Sequence, residues 1–218
     1  MLNGGICAGA GTIAGGPCRT DADAGPRCDT GLTCSTMTGA GVCRREVAVG
    51  MTCDLRFNST TCAMGALCQP GMTAGSGTCT APTAEMEMNN TPMMGNGPVT
   101  ASTVFSAALP ANDVDCFRVT VPAGASIRAE TQDANGTCDL GMGADTIVKL
   151  YNPMGVDVAE DDDGGAGLCS LIDPTAVAAA RGLAAGTYAV CVESYVPMSG
   201  MSVAIPRYYL RVTVTPGS

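Results

Sequence analysis

The sequence predicts a mainly β protein: an antiparallel β-sandwich over residues 101–218, preceded by small disulfide-rich repeats with little regular secondary structure. Three observations carry this expectation. Nine of the 13 cysteines fall before residue 80 and recur at a near-constant interval. After residue 100, short β-branched and aromatic runs alternate with polar residues and are divided by Gly, Pro, Asn and Asp, as half-buried strands are. A chain of 218 residues has room for one sizeable core and a small module beside it.

The repeats come first. Cys18, Cys28, Cys34 and Cys43 are followed by Cys53, Cys62, Cys68 and Cys79, offset by 34 to 36 residues. The text agrees locally, Gly31-Leu-Thr-Cys34 with Gly65-Ala-Leu-Cys68 and Gly41-Val-Cys43 with Gly77-Thr-Cys79, which defines units at 15–48 and 49–80. Cys7, in Gly5-Ile-Cys7, takes the last position of a preceding repeat, so residues 1–14 read as the remnant of an upstream unit; the alternative is a free or intermolecular thiol. Leu32, Val42, Leu55, Phe57 and Leu67 are almost the whole apolar supply, so two bridges per unit, worth about 2–4 kcal/mol each, must carry stability. Four cysteines allow three pairings, and spacing does not choose among them. The pattern is similar to EGF-like and Dickkopf-like cysteine-rich modules.

Residues 81–100, free of Cys and aromatics, read as a linker. Met86, Met88, Met93 and Met94 within them are soft donors with no Cys or His alongside. Beyond the linker, Phe117, Val119 and Val121 share one face of a strand and Cys116, Arg118 and Thr120 the other. Pro122-Ala-Gly124 turns the chain into a strand over 126–131. Further strands are expected at 146–151, 156–159, 187–193 and 208–214, where Tyr208, Leu210, Val212 and Val214 alternate with Tyr209, Arg211 and Thr213. This many short strands suggest an antiparallel sandwich.

The succession Asp113-Val-Asp115-Cys-Phe117-Arg-Val119, Pro122-Ala-Gly124, Asp145-Thr146 to Leu150-Tyr151, Asp161-Asp-Asp163-Gly164, Ala185-Gly186-Thr187-Tyr188 and Tyr209-Leu-Arg-Val212 resembles the bacterial pre-peptidase C-terminal domain. The resemblance implies a jelly-roll-like sandwich, non-catalytic, attached to exported enzymes, and in some members binding calcium or an insoluble substrate. Cys116 and Cys191 depart from that pattern. They lie mid-strand and out of phase with the large apolar residues, whereas Cys138 and Cys169 lie in loops, so the expected bridges are Cys116–Cys191 and Cys138–Cys169.

Composition excludes several chemistries. With no His there is no Ser-His-Asp triad, no Cys-His dyad and no His-ligated zinc, and no C-x-x-C pair supports a thiolate metal site. Cysteine density points to an oxidising compartment, hence a secreted or cell-surface protein. No 18-residue apolar run spans a membrane. The formal charge of −9 resides wholly in residues 85–218, where 6 basic residues face 15 acidic ones, which disfavours nucleic acid as a partner. Arg outnumbers Lys ten to one, and this with the Ala and Gly richness suggests a bacterial gene.

The strongest chemical motif is the acidic turn Glu160-Asp161-Asp162-Asp163-Gly164. Its consecutive carboxylates repel one another, and a calcium ion, which takes 6–8 oxygens from flexible loops, would relieve that. Asp145 is the nearest further ligand, with Asp113, Asp115 and Asp139 more remote. Asp29-Thr30-Gly31 spells an aspartic-protease signature, but it stands alone after Cys28 and reads as a turn; Lys149 has no partner serine. Asn58, Asn89 and Asn135 begin chance N-glycosylation sequons. The expected role is therefore non-catalytic: adhesion to a protein or polysaccharide surface, with calcium as the candidate cofactor. The alternatives are a C-terminal piece of a secreted hydrolase, or a structural subunit that self-assembles or continues upstream through Cys7.

Overall fold

Between the cysteines of the repeats the chain is Thr- and Gly-rich, and there it forms short strands stitched by disulfides. The computed structural model describes residues 14, 28, 30–35, 42–55, 59–63, 65–70, 73–133, 138, 145–196 and 202–217; Cys7, Cys18, Phe57, Asn58, Asn135 and Asp139 lie outside them. Two compact units divide at Ala81/Pro82. In the first, β1 (Leu32–Ser35) and β2 (Val42–Val47) form a hairpin that sets Cys34 opposite Cys43. In the second repeat β5 (Leu67–Pro70) and β6 (Ser76–Thr80) do the same for Cys68 and Cys79. The facing cysteines do not bond to each other. Cys28 joins Cys43, Cys53 joins Cys68 and Cys62 joins Cys79, while Cys34 is also in a disulfide. Second-to-fourth pairing is thus common to both repeats.

The repeats also exchange a strand. β3 (Thr52–Asp54) pairs with β6 within its own repeat, whereas β4 (Thr60–Cys62) adds in parallel to β2 of the preceding one. Their core is mostly sulfur: Cys53, Cys68 and Cys79, with Val47, Leu55 and Cys62 against them. The Gly-x-Cys motif has a steric cause here, because a Cβ on Gly77 would stand 2.2 Å from the Gln69 carbonyl oxygen.

The second unit is a β-sandwich. Its strands are β7 (Thr83–Ala84), β8 (Asn96–Val99), β9 (Thr103–Leu109), β10 (Val114–Val121), β11 (Ser126–Gln132), β12 (Thr146–Tyr151), β13 (Asp157–Asp161), β14 (Leu171–Ile172), β15 (Gly186–Ser194) and β16 (Ile205–Thr215). They make two five-stranded sheets, β13-β12-β15-β10-β8 and β14-β11-β16-β9-β7, antiparallel except at β7 and β8. Alternation sorts the side chains: Phe117, Val119 and Val121 of β10 and Tyr208, Leu210 and Val212 of β16 enter one shared core. Phe105 and Phe117 meet across the two sheets with ring centroids 4.4 Å apart. A buried hydroxyl cluster also ties the sheets, Thr146 Oγ1 lying 2.8 Å from both Thr131 Oγ1 and Ser170 Oγ.

On the outer face of the first sheet Cys116 stands directly opposite Cys191 and is bonded to it, with Cα atoms 4.0 Å apart. The Cys116 amide donates away from β15, to the Asn89 carbonyl at 3.1 Å, as at a non-hydrogen-bonded pair of an antiparallel ladder. Cys138 and Cys169 are joined as well, with Cα atoms 5.0 Å apart.

Residues 81–100, expected as a linker, instead supply one edge strand to each sheet. Residues 82–99 form a strap: β7 lies along β9, the chain turns at Thr91–Met94, and β8 lies along β10. Side chains do much of the pairing that a regular ladder would do. The Asn96 carboxamide accepts from the Met86 amide and donates to the Met86 carbonyl, each at 2.7 Å, and Arg118 donates to the carbonyls of Gly95 and Gly97. Gly95 is required for the fit, since its Cβ would lie 2.8 Å from the Cys116 backbone. Such a segment shows no apolar period.

Candidate metal centre

The acidic turn leaves β13, which pairs with β12, and the structure divides its carboxylates among three tasks. Glu160 faces Lys149 across the strand pair at 3.6 Å, and Lys149 also donates to Glu193 at 2.5 Å, which holds the lysine above its usual pKa. Asp161 organises the loop, its Oδ1 accepting from the amides of Gly164 at 2.9 Å and Leu171 at 2.5 Å. Asp145, Asp162 and Asp163 come together, each offering an oxygen within 4.8 Å of the others. Asp162 Oδ1 is shielded and receives no hydrogen bond. Burial, and then Asp163 beside them, pushes both Asp145 and Asp162 above the ordinary carboxylate range.

Asp113 and Asp115, assigned from sequence as remote ligands of that turn, belong to a second cluster under the strap. Glu85, Glu87 and Asp115 also offer oxygens within 4.8 Å of one another. The Glu85 amide continues the β7–β9 pairing by donating to Ser106 at 3.0 Å, and its Oε1 accepts from the Ala108 amide at 2.7 Å. Its Oε2 is buried without a donor. Asp115 is fully buried; Oδ2 accepts from the Tyr208 hydroxyl at 2.8 Å, across the sandwich, while Oδ1 has no donor. Asn89, also fully buried, has neither carboxamide atom partnered. Asp113 sits at the rim, taking a hydrogen bond from Asn90 Nδ2 at 2.6 Å.

The electrostatics follow from crowding of carboxylates that run from exposed Glu87 through half-buried Glu85 to buried Asp115. Burial, opposed by the Tyr208 hydrogen bond and reinforced by Glu85 and Asp113, pushes the Asp115 pKa up to about 8. Burial, and then Asp113 and Glu85, raises Glu87. Burial and the adjacent Asp115 raise Tyr208. Like carboxylates desolvated together are relieved by a proton or by a cation, and unpartnered buried oxygens are the donors a hard cation requires. Three carboxylates within 4.8 Å of one another are donors of the kind calcium, an all-oxygen binder, takes. A further trio of donors, Cys53, Cys62 and Cys79, is closed to metal because all three sulfurs are in disulfides.

Sequence reasoning missed Glu85, Glu87 and Asn89 because it read their segment as a linker. No period marks them, because the chain bends at Glu87 and leaves Glu85 half-buried, Glu87 exposed and Asn89 buried. The Asn89 sequon is ruled out as an acceptor by burial.

No family model matches the chain, and no curated protein matches it. Among solved structures it is similar to PliG of Aeromonas hydrophila, a periplasmic inhibitor of g-type lysozyme, at 11% identity and TM-score 0.34, over 53% of this chain and 88% of that one. It is also similar to the pre-peptidase C-terminal domain of a Bacillus anthracis collagenase, at 12% identity and TM-score 0.34, over 62% of this chain and 96% of that one. The resemblance of residues 15–80 to EGF-like or Dickkopf-like modules finds no support in these comparisons. Among the described residues no helix is long and apolar enough to cross a membrane.

Proposed function

We propose that the chain is a non-catalytic, calcium-stabilised binding module of a protein that works outside the cytoplasm. The observation that carries the calcium assignment is the trio Glu85, Glu87 and Asp115, whose oxygens lie within 4.8 Å of one another and include buried oxygens of Glu85 and Asp115 that no amide or hydroxyl supplies with a hydrogen bond. Glu85, Glu87 and Asp115 would hold the ion, and its charge would offset a repulsion that otherwise opposes seating the strap. Disulfides in both units fit an extracellular or periplasmic setting. Asp115 has the strongly shifted pKa that often marks a catalytic acid, yet it is fully buried and out of reach of a substrate, which favours a structural role. Attachment to a protein or polysaccharide surface is the corresponding activity. An open hollow of about 280 Å³ beside the site, lined by Asp113, Val114, Ile147, Glu193, Tyr195 and Val196 among others, offers two carboxylates and an apolar floor to a basic or hydroxyl-rich partner.

Calorimetric titration of calcium into chelator-treated protein tests the assignment. One saturable site, weakened at least tenfold by Glu85→Gln or Glu87→Gln and unchanged by Asp162→Asn, is the expected result. Binding lost with Asp162→Asn and kept with the other two would return the ion to the acidic turn. Co-sedimentation with insoluble polysaccharides and fibrous proteins then tests attachment, and retention by none of them would remove that part of the proposal.

A further inference from the structure

The strap is sorted by donor hardness. Its inner side carries the oxygens of Glu85 and Asn89 and the close-packed Gly95, with Glu87 exposed at the rim. Its outer side carries four thioethers: Met86, Met88, Met93 and Met94 are 71%, 76%, 70% and 58% exposed. Methionine is among the side chains most often buried, so four exposed within nine residues call for a reason. The two arms are held side by side, because Asn96, two residues after Met94, grips both backbone groups of Met86 at 2.7 Å. Between the arms the chain reverses in a turn closed by the Met94 amide on the Thr91 carbonyl at 3.0 Å. Arg118 anchors the return arm through Gly95 and Gly97. Both methionine pairs therefore ride on one short fold-back whose backbone is fixed to the sandwich.

Soft donors other than methionine are scarce, and of the 13 methionines these are the only four gathered within nine residues. The chain has no His, and every cysteine among the described residues is in a disulfide. Thioethers select soft, closed-shell ions and have little affinity for calcium, magnesium or zinc. We propose that the outer face of the strap is a thioether site for Cu(I), formed by Met86, Met88, Met93 and Met94. The ion enters and leaves as Cu(I), with no change of oxidation state and no proton released. This site is independent of calcium on the inner side, because the two faces use different donors. The chemistry places the chain among proteins exposed to, or carrying, monovalent copper in an oxidising compartment.

The test uses the full disulfide-bonded chain, with any free thiol alkylated first so that Cys7 cannot compete. Ag(I), a redox-inert stand-in for Cu(I), is titrated in chloride-free buffer while the methyl resonances of ¹³C-methyl-methionine are followed. Saturable shifts of Met86, Met88, Met93 and Met94 at one ion per chain, with Met51 and Met154 unmoved, are expected. Met51 and Met154 are suitable controls because they are exposed at 58% and 82% but lie off the strap. Replacing all four strap residues by Leu keeps the size and removes the sulfur; it should weaken Ag(I) at least tenfold and leave the thermal midpoint in place. Cu(I) partition against bicinchoninate should show the same loss. Shifts spread equally over all exposed methionines, or undiminished affinity in the quadruple variant, would overturn the proposal.

Discussion

Asp115→Asn separates a proton from a cation as the group that keeps the strap seated. In calcium-free protein the Asp115 carboxyl holds its proton up to about pH 8, because it is buried beside Glu85 and Asp113. In the unfolded chain it releases that proton near the ordinary aspartate value. A carboxyl whose folded pKa is raised contributes stability that is complete below the unfolded pKa and is lost as pH climbs through the folded one. The calcium-free protein should therefore lose stability steadily from about pH 4 to pH 8. A buried charge left without a partner costs on the order of 2–5 kcal/mol. Asp115→Asn carries no charge, can still accept from Tyr208, and keeps at every pH a donor toward Glu85 that the carboxyl supplies only while protonated. In chelator at pH 8 it should be more stable than the wild type, by roughly 5–10 °C in thermal midpoint for a domain of this size. With calcium at about a hundredfold excess over its dissociation constant, the wild type should gain about 2.7 kcal/mol. The variant, with one carboxylate fewer, should gain little, so the order of stabilities reverses. Differential scanning calorimetry at pH 5 and pH 8, with chelator and with calcium, gives all the numbers required. Parallel shifts of both proteins in every buffer would refute the reasoning, as would a flat wild-type profile between pH 5 and pH 8 in chelator.

Other expectations concern the framework. Thr146→Val removes the centre of the buried hydroxyl cluster and should cost about 1–3 kcal/mol in chemical denaturation, whereas Thr120→Val, at the half-exposed Thr120–Thr187 pair on the outer face, should cost under about 1 kcal/mol. Asp161→Ala should destabilise the sandwich by about 1–3 kcal/mol, through the lost Gly164 and Leu171 hydrogen bonds, with calcium affinity unchanged; an unaltered midpoint would remove Asp161 from its organising role. Replacing Cys116 and Cys191 together by Ser opens a 75-residue loop, a loss of about 4.5 kcal/mol on loop-closure entropy, readable as a lower denaturant midpoint. Mass-spectrometric mapping of unreduced peptides should return Cys28–Cys43, Cys53–Cys68 and Cys62–Cys79 from the repeats; any other pairing of these six contradicts the hairpin arrangement.

What could be read from residues alone divides along physical lines. The sandwich was legible wherever burial has a period of two, as in Phe117-Arg-Val119-Thr-Val121 and in Tyr208 to Val214, because every second side chain enters the core. The spacing of Cys18 to Cys79 revealed the repeats, but not that β4 would pair with the preceding repeat, since a three-residue strand of Thr, Thr and Cys has no distinguishing face. The strap was hidden for the opposite reason. Its strands sit at sheet edges, are four residues or fewer, and are held by Asn96 and Arg118 in place of an apolar stripe. The acidic turn advertised itself by local charge density, yet Asp161 and Glu160 spend their oxygens on Gly164, Leu171 and Lys149. Asp145, Asp162 and Asp163 remain together there, and a second cluster sets Asp115 against Glu85 and Glu87, about 30 residues earlier, which only tertiary structure makes neighbours.

The strap also explains how the sandwich manages its edges. An open sheet edge presents unpaired amides and carbonyls to any passing strand. At one side β13 is acidic along its length and β14 has only two residues, so neither is a ready template. At the other side β9 and β10 are seven and eight residues long and would be exposed without cover. One segment covers both, running parallel to each, and parallel addition is available because the strap enters along β9 and leaves along β10 without having to follow a hairpin. A cover of Gly, Pro, Met and Asn has little apolar area to hold it by burial. Side-chain clamps from Asn96 and Arg118 hold it in place of burial, and the proposed calcium ion would add to them. On that proposal Glu85 and Glu87 of the strap and Asp115 of β10 act as part of its attachment.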